Sequence, residues 1–154
     1  MKEKITALLI HPNSETLRSL KYALECQGLR VTEAESHAQA KRMLGGLNPA
    51  PLVFTDTELP DGTWADILAV AEKAARPVSV VIVARVVDTR FYVETIQAGA
   101  YDFIAPPFNA ADLAHVVRCA ADNVLTRRAA QHPPAQNLKD NLLAEVPEPR
   151  AQAG

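Results

Sequence analysis

The amino-acid sequence predicts a doubly wound α/β domain, a five-stranded parallel sheet with helices on both faces. Five short apolar runs of strand length alternate with five stretches of helical periodicity, joined by short connections. The run at 78–83, Val-Ser-Val-Val-Ile-Val, is almost continuously apolar, as a strand buried on both faces should be. A third run, at 52–55, leads into a carboxylate, Asp56, and then into the turn formers Pro60, Asp61 and Gly62. A carboxylate just past the end of a buried strand sits at the carboxyl edge of the sheet, where open α/β folds keep their chemistry.

Taken in order, residues 5–10 form a first strand that stops at His11-Pro12, because proline has no N–H for a ladder. Asn13 or Ser14 caps a helix in which Leu17, Leu20 and Leu24 recur at helical spacing, and Gly28 stops it. Residues 29–33 make a short second strand. Ser36 caps the next helix, with Ala38, Ala40, Met43 and Leu44 facing inward and Gly45-Gly46 closing it. After the third strand, the spacing predicts a helix over 64–75 that buries Ile67, Leu68 and Ala71 and is broken by Pro77. The run at 78–83 is the fourth strand, in a central place. Asp88 or Thr89 begins a helix through Tyr92, Val93 and Ile96 that ends at Gly99. Residues 101–105 form the fifth strand, broken by Pro106-Pro107. Asn109 caps a last helix carrying Leu113, Val116, Val117, Ala120 and Val124.

Residues 1–128 therefore read as one domain. Beyond Arg128 the composition turns to Ala, Gln, Asn and four prolines, so 129–154 reads as a flexible tail or linker. Within it, Leu138, Leu142, Leu143 and Val146 suit either a brief amphipathic helix or a linker toward another domain.

The chain of 154 residues is long enough to bury a substantial core. Its formal net charge of -2 gives no electrostatic reason for a nucleic-acid or anionic-membrane partner. No apolar stretch approaches the ~20 residues of a bilayer span, and the N-terminus lacks a signal-peptide pattern, so a cytoplasmic location is expected. Cys26 and Cys119 lie in helical patterns without metal-type spacing and are expected as reduced, core-filling thiols.

Three segments carry a family resemblance. They are Asp-Thr-Glu-Leu-Pro-Asp-Gly at 56–62, Gln-Ala-Gly-Ala-Tyr-Asp-Phe at 97–103, and Pro107-Phe108. Together with the five βα units they resemble the receiver domains of bacterial response regulators in two-component signalling, over about four-fifths of the chain. The resemblance implies a flavodoxin-like strand order and makes Asp56 the phosphoacceptor. It also implies a Mg²⁺-holding acidic pair after the first strand, but His11 and Pro12 stand there, followed by Asn13. A hydroxyl residue after the fourth strand is replaced by Ala84, with Arg85 where a small residue is expected, and the usual lysine before Pro-Phe is Pro106. The aromatic that reports activation is kept as Phe103. The implied partner face spans the fourth helix, fifth strand and fifth helix, with Tyr92, Gln97, Tyr101, His115 and Arg118.

These replacements bear on chemistry. Phosphoryl transfer to a carboxylate brings negative charge against negative charge, so its catalysis is mostly positioning and charge neutralisation. Proline offers no side-chain ligand, and histidine is a poor ligand for hard Mg²⁺. The first expectation is accordingly a non-enzymatic, phosphorylation-independent pseudo-receiver that binds a protein partner, a histidine kinase or an output domain. Mg²⁺ binding would be weak or absent, direct nucleic-acid binding is not expected, and a homodimer is allowed. The alternatives are a receiver still phosphorylated at Asp56 by a histidine kinase or small phosphodonor, helped by Arg85 or His11, and a small α/β enzyme using His11 and Asp56. Against the enzyme stand the lack of a glycine-rich phosphate loop, of a Gly-x-Ser-x-Gly elbow and of a metal constellation. A satisfied strand-end histidine, a solvated loop Arg85 and a Trp64 partly buried at the sheet edge are the plainer readings of those residues.

Overall fold

The computed structural model describes residues 4–131. In chain order the elements are β1 (Thr6–Ile10), α1 (Glu15–Cys26), β2 (Arg30–Ala34), α2 (His37–Leu44) and β3 (Leu52–Asp56). There follow a two-strand hairpin, β4 (Glu58–Leu59) and β5 (Gly62–Thr63), then α3 (Trp64–Glu72), β6 (Ser79–Val83), α4 (Thr89–Gln97), β7 (Asp102–Ile104) and α5 (Ala110–Gln131). The five main strands lie in the order β2-β1-β3-β6-β7, and every pairing among them is parallel. This is the predicted doubly wound sheet, with β3 in the middle and β6 between β3 and β7.

Alternation along the strands sorts the core into two layers. Leu8, Ile10, Val53, Val80 and Ile82 pack with Ala40 and Leu44 of α2 and Ile67 and Ala71 of α3. Their neighbours Ala7, Leu9, Leu52, Phe54, Val81 and Val83 pack on the other face, with Leu17, Leu20 and Leu24 of α1 and Leu113, Val117 and Val124 of α5. Both β3 and β6 are buried along their full length, which fits the apolar runs at 52–54 and 80–83 within them.

The caps follow the sequence. The Ser14 hydroxyl accepts from Leu17 N–H, Ser36 from Gln39 N–H, Asp88 from Phe91 N–H, and Asn109 from Ala111 and Asp112 N–H. Thr63 and Asp66 form a reciprocal capping box that starts α3. Gly28, at φ +89°, takes the left-handed turn after α1.

Several expectations need correction. Asp56 is the last residue of β3 rather than a residue beyond it, because its backbone pairs with Val83. The Pro60-Asp61 turn closes the β4–β5 hairpin, which strands of two residues are too short to announce in periodicity. Within α2, Ala38 and Met43 are exposed, since only Ala40 and Leu44, four residues apart, meet the sheet. Helix α3 ends at Glu72, and its Leu68 is half-buried. Cys26 is exposed at the end of α1 and Cys119 half-buried, both as free thiols, so neither fills the core. Helix α5 continues past 128 to Gln131, and Arg128 is buried. The remainder of the expected tail, 132–154, lies outside the described residues. None of the described helices is long and apolar enough to cross a membrane.

Candidate functional site

Parallel pairing of β3 with β1 and β6 brings the segments that follow all three strands to one edge, and Asp56 stands at its centre. Its side chain is buried, with one oxygen accepting from Thr57 N–H at 2.7 Å and the other 4.0 Å from Arg85 Nη2. In front of it opens a recess of about 540 Å³, walled by Pro12, Thr57, Glu58, Leu59, Pro60 and Arg85. Arg85 is mostly exposed, so its attraction to Asp56 is screened by water. Ala84, next to it, is buried and donates its N–H to Ile104 O at 2.9 Å, presenting only a methyl group.

The first strand's end is organised differently from a metal-holding acidic pair. His11 is buried, and its Nδ1 accepts from Ser14 N–H at 2.8 Å. That bond leaves the ring proton on Nε2, which is 2.9 Å from a Glu33 carboxylate oxygen and donates to it. The second Glu33 oxygen accepts from Lys21 at 3.2 Å. The hydrogen bond from His11 holds the Glu33 carboxyl below its usual range; partial burial opposes this, and Lys21 adds to it. His11 therefore has an acidic partner, supplied by β2. The histidine is turned toward β2 and does not line the Asp56 recess. Asn13, at φ +69°, is exposed and accepts from Arg18. Pro106 is exposed in the loop after β7.

Phe103 is buried in an edge-to-face aromatic chain. Its ring meets Phe91 at 5.5 Å and Tyr92 at 5.8 Å, and Phe91 in turn meets Trp64 at 5.7 Å. Trp64 is half-buried against the core, so the chain ties α3 and α4 to β7. On the implied partner face, Tyr92, Gln97, His115 and Arg118 are exposed and Tyr101 is half-buried. Burial raises the Tyr101 hydroxyl pKa above its ordinary value, with Cys119 and Asp102 adding to the shift.

The structure thus groups Asp56, Pro12, Arg85 and the adjoining Ala84 around one recess, and sets His11 apart. Glu33 and Lys21 are the site neighbours that the sequence reading missed. A signal for Glu33 was present: with β1 and β2 paired in parallel, it lies opposite Leu9, two residues from His11. Glu58 was also passed over, although it stands two residues after Asp56.

A family model described as the response regulator receiver domain matches residues 7–118. Among curated proteins, the alginate biosynthesis transcriptional regulatory protein AlgB of Pseudomonas putida is 37% identical over 102 residues, covering 65% of this chain and 22% of its own length. The response regulator protein PilR of Pseudomonas aeruginosa is 27% identical over 147 residues, covering 94% of this chain and 31% of PilR. The chain thus spans between a fifth and a third of these two relatives. Among solved structures, a signal receiver domain from Vibrio parahaemolyticus superposes with a TM-score of 0.72 at 22% identity, covering 84% of this chain and 99% of that one. A response regulator receiver domain protein from Clostridium thermocellum superposes with a TM-score of 0.65 at 25% identity, covering 82% and 98%. With Asp56 at the carboxyl end of the middle strand and the family model matched over 7–118, this chain belongs to the response-regulator receiver domain family.

Proposed function

We propose that this receiver domain signals through protein contacts that do not depend on phosphorylation of Asp56. The observation that carries the reading is the engagement of His11. Where the family resemblance calls for an acidic pair, a buried imidazole spends both nitrogens on Ser14 and Glu33, and the Pro12 side chain has no ligand atom to offer. The donor set fits a hard divalent cation poorly: around Asp56 stand a guanidinium, two prolines, a leucine and Thr57, with Glu58 as the one further carboxylate among the described residues of the recess. Mg²⁺ binding is accordingly weak or absent. Neither Ala84 nor Pro106 can donate a hydrogen bond from its side chain to a phosphoryl oxygen. Removing one comparable donor costs other enzymes ~3 kcal/mol of transition-state stabilisation, so the combined loss makes transfer to Asp56 very slow.

In this reading the module is non-enzymatic and cytoplasmic, and it needs no cofactor. It meets a histidine kinase or an output domain through the face that carries Tyr92, Gln97, Tyr101, His115 and Arg118. That face also suits a second copy of the chain, and the net charge of -2 argues against direct nucleic-acid contact. The test is Asp56→Asn, introduced into the host cell. Signalling output should match that of the natural chain, whereas loss of output with the domain folded by circular dichroism would overturn the reading.

A second reading has one observation in its favour. Arg85 Nη2 lies 4.0 Å from Asp56 Oδ2 at an open recess, so a cation stands beside the carboxylate even though the lysine is gone. Here Asp56 accepts a phosphoryl group slowly from a kinase or small phosphodonor, and Arg85→Ala should abolish what transfer remains. The enzyme reading, with His11 and Asp56 acting together, has no such support, because His11 faces Glu33.

A further inference from the structure

At the amino edge of the sheet, opposite Asp56, three arginines gather. Arg128 is buried and donates to Pro77 O at 2.7 Å and to Pro49 O at 2.8 Å. Arg127 reaches Ser79 Oγ at 3.2 Å, and Arg76 reaches Asn48 Oδ1 at 3.1 Å, the same oxygen that faces Arg128 Nη1 at 3.5 Å. Among the described residues no carboxylate lies within ion-pair distance of any of the three. The Nε of Arg76 is buried and has no hydrogen-bond partner among the described residues, an unmet donor that costs stability unless an acceptor reaches it. Burial, followed by repulsion from Arg76 and Arg127, lowers the Arg128 pKa below the ordinary arginine value.

These charges border a groove of about 500 Å³. Leu68, Val78 and Val80 supply its apolar floor, while Arg76, Arg127 and Gln131 stand at its margin with one carboxylate, Glu72, which makes no ion pair with them among the described residues. Gln131 is also where α5 ends. The chain therefore leaves the described domain at the mouth of the groove.

We propose that this groove is the docking site of the chain's own segment 138–149, Leu-Lys-Asp-Asn-Leu-Leu-Ala-Glu-Val-Pro-Glu-Pro, which lies outside the described residues. Two complementarities carry the assignment. Leu138, Leu142, Leu143 and Val146 recur at the spacing of one helical face and match the apolar floor. Asp140, Glu145 and Glu148 stand against a single lysine, Lys139, and match the arginine margin; carboxylates are the partners a guanidinium fork pairs with best. The tether permits it. Six residues, 132–137, separate Gln131 from Leu138 and reach roughly 20 Å when extended. Docking inside one chain also carries a high effective concentration, so weak contacts suffice. The arrangement covers the α3–α4 side of the domain and is independent of the chemistry at Asp56.

The experiment uses the full-length chain carrying Cys26→Ser and Cys119→Ser, with a nitroxide attached at Ala144→Cys. Backbone amide signals of Leu68, Val78 and Gly99 should lose intensity through proximity to the label. Glu145→Arg with Glu148→Arg should restore those signals, and adding Arg76→Glu and Arg127→Glu should bring the loss back. Because the first pair of substitutions lies outside the described residues and leaves the groove unaltered, it tests the pairing even where a groove variant fails to fold. Signals that stay intact in the labelled chain, or that fade equally after charge reversal, would overturn the proposal. A mixed sample of nitrogen-15 chain without label and labelled chain without nitrogen-15 provides the remaining check. Loss of intensity there would assign the contact to a second copy and overturn docking within one chain.

Discussion

At the residue scale, His11 decides how the site should respond to repair. In the natural chain it satisfies Ser14 N–H and donates to Glu33. Exchanging it for a carboxylate sets one negative charge near another where a neutral donor now stands, which is unfavourable without a cation. The variant His11→Asp, Pro12→Asp, Pro106→Lys should therefore unfold at a lower temperature than the natural chain in a chelator. Mg²⁺ should then stabilise it, by ~2.7 kcal/mol at a concentration 100 times its Kd. Calorimetric unfolding with and without Mg²⁺ checks both parts, and a melting temperature indifferent to Mg²⁺ would show that 11 and 12 are the wrong positions. The sequence made Asp56, Ala84, Arg85 and Pro106 legible because each is fixed by a strand end. It left His11 half-read, because its partner Glu33 comes from another strand, 22 positions away.

At the element scale, the link from Asp56 to α3 depends on a compact turn and cap. The backbone of Gly62 passes so close to Asp66 that a Cβ there would stand 2.7 Å from Oδ2, the oxygen that accepts from Thr63 N–H. Gly62→Ala should displace Asp66, break the capping box and cost about 1 kcal/mol, the usual worth of an N-cap. Urea unfolding checks it; an unchanged midpoint would mean that the cap adds nothing to stability. Strands and helices were readable where a long face repeats, as with Leu17, Leu20 and Leu24. Elements with a shorter face were read incompletely. The hairpin at 58–63 is too short, and in α2 two apolar residues, Ala38 and Met43, fall outside the face that meets the sheet.

At the scale of the whole molecule, α5 closes the amino edge of the sheet through Arg128. One guanidinium joins α5 to the segments that precede β3 and β6, by donating to Pro49 O and Pro77 O. Arg128→Ala should leave those carbonyls without their partner and cost ~1–3 kcal/mol. Arg128→Lys should recover little of it, since an ammonium lacks the planar fork that spans both oxygens. Urea unfolding of both variants measures this, and an Arg128→Lys midpoint equal to the natural one would contradict the bridging role. Sequence reading placed the domain end at 128 because composition changes there. It could not anticipate a buried arginine, because the carbonyls that satisfy Arg128 belong to loops 79 and 51 positions earlier.

The central claim concerns Asp56, and intact-mass spectrometry addresses it most directly. The folded chain would be incubated with Mg²⁺ and acetyl phosphate beside the Asp56→Asn variant. Masses should remain those of the unmodified chains in both samples. A phosphoryl adduct on the natural chain that is missing from Asp56→Asn would contradict the account, making Asp56 a working acceptor and Arg85 the first residue to remove.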